Sequence, residues 1–156
     1  MKILDCTLRD GGYYTNWDFE QHLVNDYCKL CKSIPIDIIE IGYRGNTSKQ
    51  NSYFGEYYFI TISNLKRIKS MIGKNKEISI MIDLKDWKNP NDLKKNLTKC
   101  KGLVNIVRFA INPKKLSQVK KFLKVTKNLG FKVAINLMYS HLILSEAKIV
   151  DKVLEL

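Results

Sequence analysis

Histidine and arginine are scarce in this chain, with two of the first and four of the second among 156 residues. Lysine therefore carries most of the formal net charge of +12. Surfaces that read phosphates and bases favour the planar fork of arginine. Nor are aromatic residues interleaved with the basic runs around Lys94, Lys95, Lys120, Lys121, Lys124 and Lys127, as a single-strand binder requires. The expectation is a solvated basic surface and no nucleic-acid partner. Cysteine is sparse too. Cys28 and Cys31 form a lone C-x-x-C without the second pair or the histidine pair that zinc needs. Both fall on the apolar face of a predicted helix, which reads as core packing, and no disulfide framework is expected. No apolar run nears the roughly 20 residues of a membrane span. Asp5 arrives too early for a signal peptide, so no membrane partner is expected and the cytoplasm is the expected location. The chain also lacks a G-x-G-x-x-G after its first strand, a P-loop and a G-x-S-x-G elbow. Those absences weigh against a nucleotide-binding open sheet.

What is present is a regular alternation of strand and helix patterns. With 45% hydrophobic residues the chain can bury a core, and residues 1–156 read as one domain. Strands are predicted over Ile3–Leu8, Ile36–Ile41, Ile78–Leu84, Val104–Ile111 and Phe131–Leu137. A helix over Phe19–Ser33 is expected to present Phe19, Leu23, Tyr27 and Leu30 to the core, with Asp18 and Gln21 as a capping box. Further helices are expected over Asn64–Ile72, after Asn89-Pro90, from Asn112-Pro113 to Gly130, and over Glu146–Leu156. The aromatic-rich stretch Tyr43–Ser63 either carries function or covers apolar surface. The strands are near-continuous apolar runs, the pattern of a parallel sheet covered on both faces. The fold class is α/β, either a doubly wound sheet or part of a (β/α)8 barrel.

In either fold, chemistry collects at the C-terminal strand ends. Strand one ends in Arg9, Asp10, Gly11 and Gly12, where glycines allow a tight turn and close approach of a ligand. Strand two carries Glu40 and ends near Arg44; strand three delivers Asp83, strand four Arg108, and strand five Asn136 followed by Tyr139 and His141. Three of the four arginines thus fall at or near strand ends. Guanidinium stays charged and binds planar oxyanions with two donors, which suits a carboxylate or an enolate oxygen. Asp10 and Glu40 read as hard oxygen ligands for Mg²⁺ or Mn²⁺, and Glu40 equally as the partner of a neighbouring arginine.

The run Asp5-Cys6-Thr7-Leu8-Arg9-Asp10-Gly11 resembles the strand-one signature of the metal-dependent aldolase and acyl-CoA lyase/synthase superfamily. Its members include 4-hydroxy-2-oxovalerate aldolase, hydroxymethylglutaryl-CoA lyase and isopropylmalate synthase. Ile39-Glu40-Ile41-Gly42 looks like the family's second strand, Val107-Arg108 its fourth and Asn136-Leu137-Met138 its fifth. The resemblance implies a TIM barrel and a carbon–carbon lyase acting on a 2-oxo acid through an enolate. It implies that Arg9 stabilises the enolate and that Asp10 binds the divalent metal, Mn²⁺ or Mg²⁺. Glu40, Arg44, Arg108 and Asn136 are the expected substrate contacts. Tyr13 stands where the family's aldolases carry a proton-transferring histidine; its unperturbed pKa of about 10 means that the same role requires tuning.

The family draws two further metal ligands from a late His-x-His, which this sequence does not contain. About five of a barrel's eight strand–helix units are present, so the expectation is an incomplete barrel. An unclosed sheet leaves strands one and five as edges and turns apolar interior residues to water. The expected partners are therefore a C-terminal half-barrel or a second copy of the chain. A Claisen-condensing acyl-CoA transferase of the isopropylmalate synthase type, or a catalytically incomplete interaction module, are the alternative functions.

Overall fold

Isoleucine dominates the strands, and β-branched side chains pack well on a pleated surface. In the computed structural model, residues 1–47, 53–113, 116–143, 150, 151 and 153 are described. Five parallel strands lie in the order β1 (Leu4–Asp5), β2 (Ile38–Tyr43), β3 (Glu77–Asp83), β4 (Ile106–Ile111) and β5 (Lys132–Leu137). Together with their helices they make an α/β fold curled into a half-barrel. One face is covered by α2 (Gln21–Ser33), α3 (Ile62–Met71), α4 (Pro90–Thr98) and α5 (Leu116–Asn128). Against these helices Ile39, Ile78, Ile80, Ile82, Val107 and Phe109 are essentially excluded from water. Each such side chain contributes roughly 1.5–3 kcal/mol of burial.

Several helix boundaries follow directly from local chemistry. The Asn89 side chain accepts from Asn91 N and Pro90 opens α4, while Gly130 adopts a positive φ of 91° just past α5. Thr61 caps α3 by accepting from Asn64 N, which starts that helix at Ile62. Other expectations are corrected. Glu20, not Asp18, stands at the N-cap of α2, with no side-chain capping bond. The buried stripe of α2 is Val24, Cys28 and Cys31, whereas Leu23 and Leu30 are exposed. The i, i+4, i+7 spacing through the two cysteines describes the buried face, and the C-x-x-C is core. Most of the helix expected over 146–156 lies outside the described residues; Val150, Asp151 and Val153 within it are helical.

The largest difference is at the start. The first strand stops at Asp5, and Thr7–Thr15 forms a helix, α1. Asp5 ends the strand by accepting from both Thr7 N (2.9 Å) and Thr7 Oγ1 (3.2 Å), with the Tyr27 hydroxyl on the same carboxylate. This turn captures the first free N–H of the helix. Gly11 and Gly12 are therefore helical, not a turn beside a ligand. Gly12 is required by packing, since a Cβ there would collide with the Trp17 indole. Trp17 contacts the rings of Tyr13, Tyr43, Phe54 and Tyr58, and its Nε1 donates to the Arg9 carbonyl at 2.9 Å. The described part of the aromatic connection after β2 thus packs around Trp17.

The uncovered concave face is mostly polar. Glu40, Glu77, Ser79, Arg108, Lys132 and Asn136 alternate along their strands onto it, as the register and the Glu40–Ser79, Glu40–Arg108 and Glu77–Lys132 contacts require. The expected exposure of apolar interior residues is not found there: Met81 and Ile106, on the same face, are buried. Among the described residues no helix is long and apolar enough to cross a membrane.

Candidate active site

Four elements converge on Glu40. Every residue of β2 is buried, so Glu40 at its centre has no exposed surface. A carboxylate in that position must be fully paired. Its Oε1 accepts from Arg9 Nε on α1 at 2.9 Å and from Arg108 Nη1 on β4 at 2.8 Å. Its Oε2 accepts from Ser79 Oγ on β3 at 3.0 Å, the residue directly opposite in the register. Two guanidinium groups thus share the Glu40 carboxylate, and Asp10 beside Arg9 supplies the second negative charge of the cluster. Burial works against the charge on Arg9, but the Glu40 hydrogen bond and the Glu40 and Asp10 charges outweigh it and raise its pKa above the ordinary value. Among the described residues Arg9 Nη2 and the Nε and Nη2 of Arg108 make no hydrogen bond, which leaves donors for a ligand.

Asp10 lies beside this cluster with a half-exposed carboxylate. It pairs with Arg9 Nη1 and accepts from the Cys6 thiol at 3.0 Å. Burial, then the bond to Asp10, pushes the Cys6 pKa up and keeps that thiol protonated. One turn further along α1, the Tyr13 hydroxyl lies 3.1 Å from that of Tyr43. Tyr13 is exposed and Tyr43 is buried. Burial first, then the hydrogen bond with Tyr13, holds the Tyr43 phenol well above its usual range, so it keeps its proton. Both rings line a cavity of about 790 Å³ that opens across the C-terminal ends of β3, β4 and β5, where Asp83, Ala110 and Met138 also contribute.

The structure brings Arg9, Asp10, Glu40 and Arg108 together, with Tyr13 above them. Asn136 is on the same concave face, one register step beyond Ala134, which pairs with Arg108; its amide donates to Met138 Sδ at 3.7 Å. Arg44 is placed elsewhere. It is buried, donating from Nε to Asn96 Oδ1 at 2.8 Å and from Nη1 to the Ile60 carbonyl. The reason is a β-bulge: the register runs Glu40↔Ser79 and then Tyr43↔Met81, one residue extra on β2. The extra residue reverses the alternation, putting Tyr43 on the concave side and Arg44 on the other. Gly42 absorbs the bulge with a φ of 145°, its Cα close against the Tyr57 carbonyl. A glycine inside a strand pattern is the signal that could have located Tyr43. Ser79 follows only from the register. His141 is exposed on the short helix α6 (Ser140–Ile143).

A divalent ion, Mn²⁺ or Mg²⁺, is the expected cofactor. Among the described residues no three histidine, cysteine, aspartate or glutamate side chains gather where they could hold one. Glu40 is committed to its arginines, and Asp10 alone offers a reachable carboxylate, itself paired with Arg9. One such donor does not make a site for a six-coordinate oxygen-bound cation, so the described residues do not fit a complete metal centre.

The class is that of a parallel α/β half-barrel with a buried ion cluster on its concave face. A crystal structure of the N-terminal domain of a presumed aldolase from Bacteroides vulgatus is similar to this chain, with a TM-score of 0.88 and 37% sequence identity. The match covers 96% of this chain and 48% of that one, so the chain spans about half the length of this neighbour. The chain therefore has an aldolase-related fold. No family model matches it, and no curated protein does.

Proposed function

We propose that the chain carries the enolate-stabilising part of an aldolase-type carbon–carbon lyase acting on a 2-oxo acid, akin to 4-hydroxy-2-oxovalerate aldolase. The observation that supports this most is the buried Glu40 carboxylate holding two guanidinium groups with free donors on one concave face. In aldol cleavage the substrate's 4-hydroxyl loses its proton, the C3–C4 bond breaks and an aldehyde leaves. The electron pair stays as an enolate on the 2-oxo oxygen, and C3 then takes up a proton. Arg9 supplies a permanent cation at the enolate oxygen through Nη2, and Arg108 binds the substrate carboxylate. Asn136 stands further along the same face for a second polar contact. Glu40 positions both arginines. Tyr13 carries the proton, with Tyr43 donating a hydrogen bond to the Tyr13 oxygen. Metal dependence enters this reading through Asp10 alone.

A second reading has one observation in its favour. Asp10 is a single donor on an unclosed sheet, as in a half-site that a C-terminal half-barrel partner or a second copy completes.

The test is exchange of the pyruvate methyl protons with solvent deuterium, followed by NMR with Mn²⁺ and with a chelator. Exchange above the solvent rate is expected, with Arg9→Ala reducing it about 100-fold or more, as loss of one oxyanion donor does. Tyr13→Phe is expected to cost about 100-fold, the lower end of general acid–base contributions. Exchange indifferent to loss of Arg9, or none at all, would sink the assignment.

A further inference from the structure

The cavity at the strand ends is much larger than the proposed reaction needs. At about 790 Å³ it lies in the roughly 300–1,000 Å³ range that encloses drug-sized ligands, and Tyr13 and Tyr43 line it where Arg9 and Arg108 do not, so a 2-oxo acid of three to five carbons held by the arginines leaves most of it free. Its two ends differ in chemistry. The end beside the arginine cluster presents the Tyr13 and Tyr43 hydroxyls. The other end presents Lys85, Lys88 and Lys121 over an apolar floor that includes Trp87 and Phe122, both buried. These lysines come from two separate parts of the chain, the segment after β3 and the exposed side of α5. Lys85 pairs with Asp83 at 2.7 Å. Lys88 and Lys121 have no carboxylate partner among the described residues, and Asp83 is the one acidic side chain in the lining. A concave wall with unneutralised ammonium groups and a low-dielectric floor attracts an anion more strongly than the same lysines on a flat surface.

We propose that this end of the cavity is an anion subsite, and that the aldehyde partner of the reaction is an extended molecule whose far end carries a phosphate or a carboxylate. The proposal rests on the aldolase reading for the near end only. The 2-oxo acid half sits against Arg9 and Arg108, and the aldehyde half extends along the floor to Lys88 and Lys121. Lysine suits this task, because a compact ammonium on a flexible stem engages a terminal anion as a point charge.

The probes are glycerol 3-phosphate, glycerate and glycerol, titrated by calorimetry into the intact chain at fixed ionic strength, so that no turnover is required. Either anionic probe should bind about tenfold or more tighter than glycerol, and the tighter of the two identifies the tail. The Lys88→Gln/Lys121→Gln pair should lose that preference. A control pair outside the cavity, Lys94→Gln/Lys124→Gln, should keep it, with circular dichroism checking that each variant is folded. Arg9→Ala should keep anion binding while losing pyruvate exchange, which separates failure of the subsite from failure of the aldolase reading. No preference over glycerol, or an equal loss in the control pair, would show a general response to the basic surface and overturn the proposal.

Discussion

Glu40 is the residue on which the site turns, because both Arg9 and Arg108 pair with its one buried carboxylate. Its carboxylate is inaccessible to water and joins Arg9, Arg108 and Ser79. Removing one member of a buried ion pair typically costs about 3–5 kcal/mol, since the partner keeps its desolvation penalty. The arginine side chains retain 11% and 17% exposure, which lets water relieve part of that cost. Glu40→Gln is therefore expected to lower unfolding stability by about 3 kcal/mol in urea titration, the low end of that range. A loss below about 0.5 kcal/mol, the range of ordinary surface substitutions, would show that the arginines find solvent or other partners without it. At this scale the sequence was legible in part. A carboxylate inside an apolar strand must be paired, and of its two readings, metal ligand and arginine partner, the arginine pairing is present here. Arg44 and Arg108 look alike in sequence, both near strand ends. A single extra residue in β2 separates them, and a change of parity leaves only Gly42 as its trace.

An ionic tie spans the opposite, N-terminal end of the sheet. Glu77 at the start of β3 pairs with Lys2 just before β1 (2.6 Å) and with Lys132 at the start of β5. The tie reaches from the middle strand to both edges across the concave face. The hydrogen bond and charge of Lys132, then of Lys2, hold the Glu77 carboxyl below its ordinary value. A carboxyl with a depressed folded-state pKa adds stability above its unfolded pKa, and that stability fades as pH falls through the folded value. Both lysines are well exposed, so screening keeps the contribution small. Glu77→Gln is expected to lower Tm by about 2 °C at neutral pH and low salt. The difference should vanish well below the ordinary carboxylate pKa of about 4.3, and shrink in molar salt. A difference unchanged at low pH would mean that Glu77 acts through packing. The elements themselves were largely readable. Asn89-Pro90, Gly130 and the isoleucine runs mark their own boundaries, because capping and strand packing are local. The start was not. The apolar run Ile3–Leu8 reads as one strand, yet Asp5 folds back onto Thr7 and turns the rest into α1. That competition between a side chain and the strand ladder has no periodicity to reveal it.

At the scale of the whole molecule, the parallel sheet has two open edges among the described residues, and its protection against exchange should follow from that topology. β3 is flanked by strands on both sides, whereas β1 is two residues long and, among the described residues, paired only with β2. Among the described residues β5 is paired only with β4, and its register fixes which amides are covered. Lys132 N donates to Asn105 O at 3.0 Å and Met138 N to Ile111 O at 2.9 Å. Because successive residues of a strand point their N–H groups to opposite sides, Ala134 and Asn136 donate towards β4 as well. Val133, Ile135 and Leu137 then aim theirs at the open edge. Amides without a ladder partner exchange at low opening free energies, and those in a sheet centre approach the global value. In the dilute chain, hydrogen exchange followed by NMR is expected to be slowest in β3. Within β5 it should alternate, with Val133, Ile135 and Leu137 exchanging at least about tenfold faster than Ala134 and Asn136, a modest gap beside the full span from open to global unfolding. If a C-terminal half-barrel or a second copy adds a strand to this edge, the three fast amides are the ones that should slow, and the alternation should disappear as that partner's concentration rises. Uniform protection along β5 at high dilution would mean that the edge is already covered, and the half-barrel could not be the unit in solution.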